Sequence, residues 1–214
     1  MLSFRTRSVS QLLLLILLAW STAFASFAAG TDGWIVLAPA GEGFSIKVPV
    51  KPEVESQRVP VMGNTYQMRL YTMTDDKTGL LYMVVMQEYP SITGVLTPTA
   101  RLEKFMDGFK KGLGESLAAA VGGKFDLVPD RDLKIGSNIG RQYKMIVGET
   151  RGLVRGFDGG RRVYLLLVLG AEETSAAVTN FFDSFEIKPA PDPVPEPIPP
   201  PDARPQELKG SSRG

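Results

Sequence analysis

Two segments of this chain are apolar on both faces: LLYMVVMQEY (80–89) and RRVYLLLVLG (161–170). A strand with one solvated face alternates between apolar and polar residues, whereas a strand that does not alternate must be covered on both sides. These two runs therefore predict central strands of one sheet with a packed layer above it and another below. The other segments have to supply those layers and the flanking strands.

Several segments alternate as half-buried strands do. GFSIKVPV (43–50) places Phe44, Ile46 and Val48 on one face and Ser45 and Lys47 on the other. VESQRVPV (54–61) is more polar and contains Pro60, which suits an edge. After a turn at Met62-Gly63-Asn64, TYQMRLYTMT (65–74) is expected to bury Tyr66, Met68 and Leu70. Asp75 to Gly79 makes the next turn. NIGRQYKMIVG (138–148) directs Tyr143, Met145 and Val147 one way and Gln142 and Lys144 the other.

The stretch RGLVRGFDGG (151–160) admits two readings, a basic glycine cradle for phosphate or a strand and its turn. A phosphate cradle requires a strand, a glycine loop and then a helix whose N-terminus faces the anion. Here a strand follows the glycines. Asp158-Gly159-Gly160 is therefore a hairpin turn, where glycine accepts positive φ. The arginines are expected at strand ends and on a solvent face, with Arg161 and Arg162 as surface residues. Arg141, Arg151, Arg155, Arg161 and Arg162 remain candidates for a local anion- or partner-binding patch, against the plainer reading of a charged face that discourages edge pairing.

The period changes after Pro98. In TARLEKFMDGFKKGLGESLAAAV, Leu102, Phe105, Met106, Phe109, Leu113 and Leu117 follow helical spacing, with Thr99 as the expected N-cap. Gly108, Gly112 and Gly114 each weaken a helix by about 1 kcal/mol relative to alanine, so this helix needs packing against a sheet. A shorter helix in ETSAAVTNFFDSFEI carries Val178, Phe181 and Phe182 and leads to a short strand at Phe185 to Ile187. The order gives an α+β domain over residues 31–188, a largely antiparallel β-sheet flanked by one long and one short helix.

The chain has no histidine and no cysteine. That removes Ser-His and Cys-His nucleophilic catalysis, the usual zinc sites and haem ligation by imidazole. Nucleotide-binding glycine fingerprints are missing, and GSNIG (136–140) misplaces its serine for a nucleophile elbow. The acidic pairs Asp75-Asp76 and Asp130-Arg131-Asp132 read as solvated loop residues, without the ligand set of a calcium loop. No cofactor is expected. An enzyme would have to work with carboxylates alone, for instance Glu88 or Asp132 as general base. The eight methionines and the central apolar strands also suit a carrier of a small apolar ligand, which would need a cavity of roughly 300 Å³ or more.

The N-terminus reads MLSFRTRSVSQLLLLILLAWSTAFASFAAG. Arg5 and Arg7, the leucine-rich run to Trp20, and Ala23 and Ala25 ahead of Ser26 have the order of a signal peptide over residues 1–25; an uncleaved anchor is the alternative. Its removal takes away Arg5 and Arg7 and no acid, leaving acids one in excess of bases, with no bias toward nucleic acid or anionic membrane. An exported chain without disulfides must rest on its own core. Residues 189–214 carry proline at nearly every second position up to Pro201 and read as a solvated, disordered tail, its polyproline tract reaching roughly 50 Å when extended.

The segments GEGFSIKVPVKP, IGRQYKMIVG, RRVYLLLVLG and FFDSFEI together resemble a group of exported bacterial domains that open on a glycine-phenylalanine strand and close on an FxxSF corner. In arrangement these are similar to the PsbP/Mog-like fold, an α/β/α antiparallel sheet, over roughly residues 34 to 188. The resemblance implies a non-catalytic interaction or accessory module of the cell envelope, periplasmic or extracellular, with a protein partner there. It transfers no site residue. The PsbP branch assists a photosynthetic complex, and no motif in this chain carries that role.

Overall fold

The computed structural model describes residues 33–61, 64–89, 96–114, 116, 119, 123–170 and 173–188. The signal segment, the Met62-Gly63 part of the first turn, the Leu117 position and the proline-rich tail lie outside them, as does the side chain of Leu113. The elements run β1 (Ile35–Leu37), β2 (Phe44–Val48), β3 (Glu53–Val61), β4 (Asn64–Asp75), β5 (Leu80–Glu88), α1 (Pro98–Phe109), β6 (Phe125–Ile135), β7 (Asn138–Val147), β8 (Thr150–Asp158), β9 (Arg162–Leu169), α2 (Ala176–Asp183) and β10 (Glu186–Ile187). A π-helical turn, Lys110–Gly114, continues α1.

Seven strands form one antiparallel sheet in the order β3-β4-β5-β9-β8-β7-β6. It is two meanders joined through the β5–β9 pair, whose register sets Val84 opposite Leu166 and Val85 opposite Leu165. Both central strands are buried along almost their whole length, as their non-alternating sequences require. One face carries Met83, Val85, Leu165 and Leu167 against Leu102, Phe105 and Met106 of α1. The other carries Tyr82, Val84, Leu166 and Val168 against β2 and α2, through Phe44, Ile46, Phe181 and Phe182. β2 pairs with β1 and β10 in a small second sheet. The α+β class and the antiparallel sheet between two packed layers are as the segment order predicts.

Several local expectations need correction. The N-cap of α1 is Thr97, whose Oγ1 accepts from Ala100 N at 3.2 Å, because Pro98 has no N–H to donate and fits the first helical position. FDLVPDRDLKI is a strand, β6, although Pro129 and its charges hide it; it sits at the sheet edge, and its register shifts between Pro129 and Arg131. Asp130 and Asp132 are therefore strand residues and not loop acids. Asp75 is buried, and its carboxylate accepts from Lys77 N at 3.1 Å and from Thr78 Oγ1 at 2.7 Å, so it organises the β4–β5 turn. On β4 the covered apolar residues are Tyr71 and Met73, whereas Tyr66, Met68 and Leu70 are only half-buried.

The glycines of β8 serve packing. A Cβ on Gly156 would lie 2.9 Å from Leu102 Cδ1, so the missing side chain is what lets α1 settle on the sheet. The β8–β9 turn forms as expected, with Gly160 at φ +85° and its N–H donating to Asp158 Oδ1 at 2.7 Å.

Candidate functional site

α1 packs on β7, β8 and β9, the far half of the sheet from β3. Its opposite flank and the near half of the sheet leave an apolar groove of about 450 Å³. Met68 and Leu70 of β4 with Met83 and Val85 of β5 form the floor, and Phe105 and Phe109 of α1 form one wall. Val59 and Pro60 of β3 form the other wall. Polar groups line it too: Gln57 and the buried Gln87 flank Met68 in one cross-strand row, and Tyr89 and the exposed Lys104 complete the lining. Burial, and after it Asp158, raises the pKa of the Tyr89 hydroxyl above its ordinary value, with Arg101 opposing.

The groove follows from local sequence. The alternation of β4 and β5 sends Met68, Leu70, Met83 and Val85 to the same face, and the β4–β5 register pairs Leu70 with Val85. On α1 Lys104, Phe105, Gly108 and Phe109, and on its π-helical continuation Gly112, share the flank facing those strands. The volume falls within the roughly 300–1,000 Å³ of small-molecule sites, and methionine adapts to irregular apolar ligands. The methionine count was a signal for such a site, but alternation alone assigned Met68 and Leu70 to a closed core.

The five candidate arginines do not converge. Arg141 lies on the α1 side of β7, with Nε donating to Asp132 Oδ1 at 2.8 Å and Nη1 3.9 Å from Glu103 Oε1. Arg151 and Arg155 of β8 and Arg162 of β9 share the other face, but at intervals of roughly 14 Å along the strands. Arg161 is exposed at the turn, where its carbonyl accepts from Tyr89 N at 2.9 Å.

Two of these arginines are largely covered, against the expected solvent face. Arg155 donates from Nε to Gln142 Oε1 at 2.9 Å and from Nη1 to Asp183 Oδ1 at 3.3 Å, and it lies 4.5 Å over the Phe182 ring. Desolvation lowers its pKa, with Asp183 opposing. The fully buried Gln142 also accepts from Arg131 and donates to Asp130 and Glu173, so it links β6, β7, β8 and the approach to α2. The Arg162 side chain is only 13% exposed, with Nη2 3.9 Å from Glu88 Oε1. Tertiary contacts between sequence-distant segments cover both side chains, so strand alternation alone does not reveal their burial.

Glu88 and Asp132 stand on β5 and β6, which three strands separate, at roughly 19 Å across the sheet. Each answers to its own arginine. The two therefore do not serve each other as acid and base. The carboxylates that do converge, Asp130 and Glu173, share Gln142 and Arg131 and are both held below their ordinary pKa, as ion-paired groups. Among the described residues, no group of three or more acids is placed to hold a metal ion, and no helix is long and apolar enough to cross a membrane.

The fold and groove define an α+β protein with an antiparallel sheet between unequal layers and an apolar recess under the longer helix. No protein-family model matches the chain, and no curated protein matches it. Among solved structures it is similar to the solution structure of cyanobacterial PsbP (CyanoP) from Synechocystis sp. PCC 6803, at 16% identity and a TM-score of 0.46, over 77% of this chain and 98% of that one.

Proposed function

We propose that this chain is an exported, non-catalytic accessory module of the cell envelope that works without a cofactor and holds a small apolar molecule in the α1 groove. The observation that carries the reading is the groove itself, about 450 Å³ with a mainly apolar lining and only a few polar groups among it. It favours a carrier over a carboxylate enzyme, because Glu88 and Asp132 stand apart while the apolar side chains converge. Export rests on the signal-like order of residues 1–25, and the mature N-terminus would be Ser26. An envelope protein would then receive or supply the bound molecule.

The groove reading is tested with the neutral fluorophore N-phenyl-1-naphthylamine. The mature chain is expected to bind it saturably at one site, and Gly108→Leu, which places a side chain in the recess, is expected to remove that binding without loss of the folded state. Equal binding by the variant would overturn the assignment of the groove. Mass spectrometry of the protein secreted by a bacterial host tests the address, and an intact Met1 on a membrane-bound form would overturn it.

A further inference from the structure

We infer that the groove takes a single-chain amphiphile with an anionic headgroup, its chain along the floor and its head at Lys104. The inference rests on the groove being a ligand site and adds the chemical class of the ligand.

Charge comes first. Among the described residues that line the groove, Lys104 is the sole charged one, and no acid lines it. Arg101 of α1, Arg141 beside it and Arg155 beside α2 are tied to Asp158, Asp132 and Asp183, whereas the charge of Lys104 is directed along the groove margin. Lys104 makes no ion pair among the described residues. An exposed ammonium at the margin of an apolar groove, without an ion-pair partner among the described residues, complements a carboxylate, sulfonate or phosphate monoester on a ligand. A purely apolar ligand leaves that cation without use, and a cationic amphiphile is repelled by it.

Shape supports the same class. Gly108 of α1 and Gly112 of its π-helical continuation lie on the flank that lines the groove. A Cβ built on either meets nothing within 4 Å among the described residues. Glycine inside a helix is destabilising, and here no close contact demands it, unlike Gly156 against Leu102 or Gly114 against Phe125. What the two glycines do is keep an open lane along the helix beyond Lys104. From Lys104 to Gly112 the helix advances roughly 12 Å at 1.5 Å per residue. A lane with a cation near one end and methionine and phenylalanine along it fits a linear chain better than a compact ring system.

The test is calorimetric titration of the mature chain with hexanoate, octanoate and decanoate, and with 1-decanol and decylamine as neutral and cationic counterparts below their aggregation limits. Affinity is expected to rise about fourfold per added CH₂ until the lane is filled, from about 0.8 kcal/mol per buried CH₂. Decanoate is expected to bind about five- to tenfold tighter than decanol, and decylamine weakest. Lys104→Gln should bring decanoate down to the decanol affinity and leave decanol unchanged. Gly108→Leu should remove binding of both. Equal affinity for decanoate and decanol, an unaltered preference in Lys104→Gln, or tighter binding of decylamine would overturn the anionic-head inference while leaving the groove as an apolar site. Failure of all three ten-carbon ligands to bind would overturn the groove reading as well.

Discussion

Arg101 and Asp158 meet in a two-pronged ion pair between the first turns of α1 and the end of β8, Nε to Oδ2 at 2.8 Å and Nη2 to Oδ1 at 3.0 Å. The carboxylate is almost wholly buried, and it also accepts from Gly160 N, so one acid anchors the helix and closes the β8–β9 turn. Arg101 reaches back from Nη1 to the Leu96 carbonyl at 3.1 Å, which ties down the approach to α1. The pair holds the N-terminal half of the helix over β8 and β9, and hence sets where the groove lies.

Removing one partner of such a pair strands the other in a low-dielectric position. Asp158→Asn is expected to lower stability by about 3 kcal/mol, and Arg101→Met by less, since that side chain keeps its apolar stem. Chemical denaturation of the two variants and the double variant measures the coupling. Additive losses would show that the pair does not act as a unit.

Alkaline sensitivity should reside in the buried tyrosines. Burial, and secondarily the Asp75 carboxylate, pushes the Tyr82 hydroxyl up to about 12. A phenol with a raised folded-state pKa favours the folded protein while both states are neutral. Its contribution is therefore complete below about pH 10 and is lost as pH rises toward 12, by roughly 2–3 kcal/mol. The hydroxyl is buried with no well-formed hydrogen bond, Thr78 acting on it only weakly, so Tyr82→Phe should change stability at pH 7 little. Urea titrations at pH 7, 10 and 11.5 check both; a Tyr82→Phe variant that loses stability as steeply as the parent would refute the assignment.

Neighbouring arginines should behave differently. Arg161 is exposed, and Arg161→Ala is expected to stay within about 0.5 kcal/mol of the parent. Arg162 packs beside Gly43 and Glu88, and Arg162→Ala should lose about 1–3 kcal/mol through its buried stem. Its Nη1 is buried without a partner among the described residues, so Arg162→Met should recover most of that loss. Millimolar phosphate is expected to move none of these melting temperatures, because the arginines do not converge. A shift abolished by either alanine variant would restore an anion site.

The glycines sort by what stands over them. Gly108 faces open space, and Gly108→Ala should stabilise the protein by about 0.5–1 kcal/mol through helix propensity. A Cβ on Gly152 would lie 2.6 Å from the Val168 carbonyl oxygen of the adjoining strand, where backbone cannot give way. Gly152→Ala should therefore cost about 1–3 kcal/mol. Thermal unfolding of the two variants separates them, and shifts of the same sign would contradict this account.

Local pattern was enough to determine much of this protein. Non-alternating runs marked β5 and β9 as strands covered on both faces, alternation placed β2, β4 and β7, the Asp158-Gly159-Gly160 turn ahead of a strand placed β8, and helical spacing placed α1 and α2, because side-chain periodicity is a property of the chain's immediate neighbours. The absence of histidine and cysteine narrowed the chemistry before any fold was considered. Edge strand β6 escaped this reading, since proline and charge are tolerated where one side of a strand has no partner. Tertiary structure decided the rest. Whether Met68 and Leu70 are core or groove depends on which strands α1 covers, and whether Arg155 and Arg162 are solvated depends on Phe182, Gly43 and Glu88, all distant in sequence. Alternation tells which side of a sheet a residue faces. What lies over that side is set by long-range packing, and a groove is a place where the packing stops.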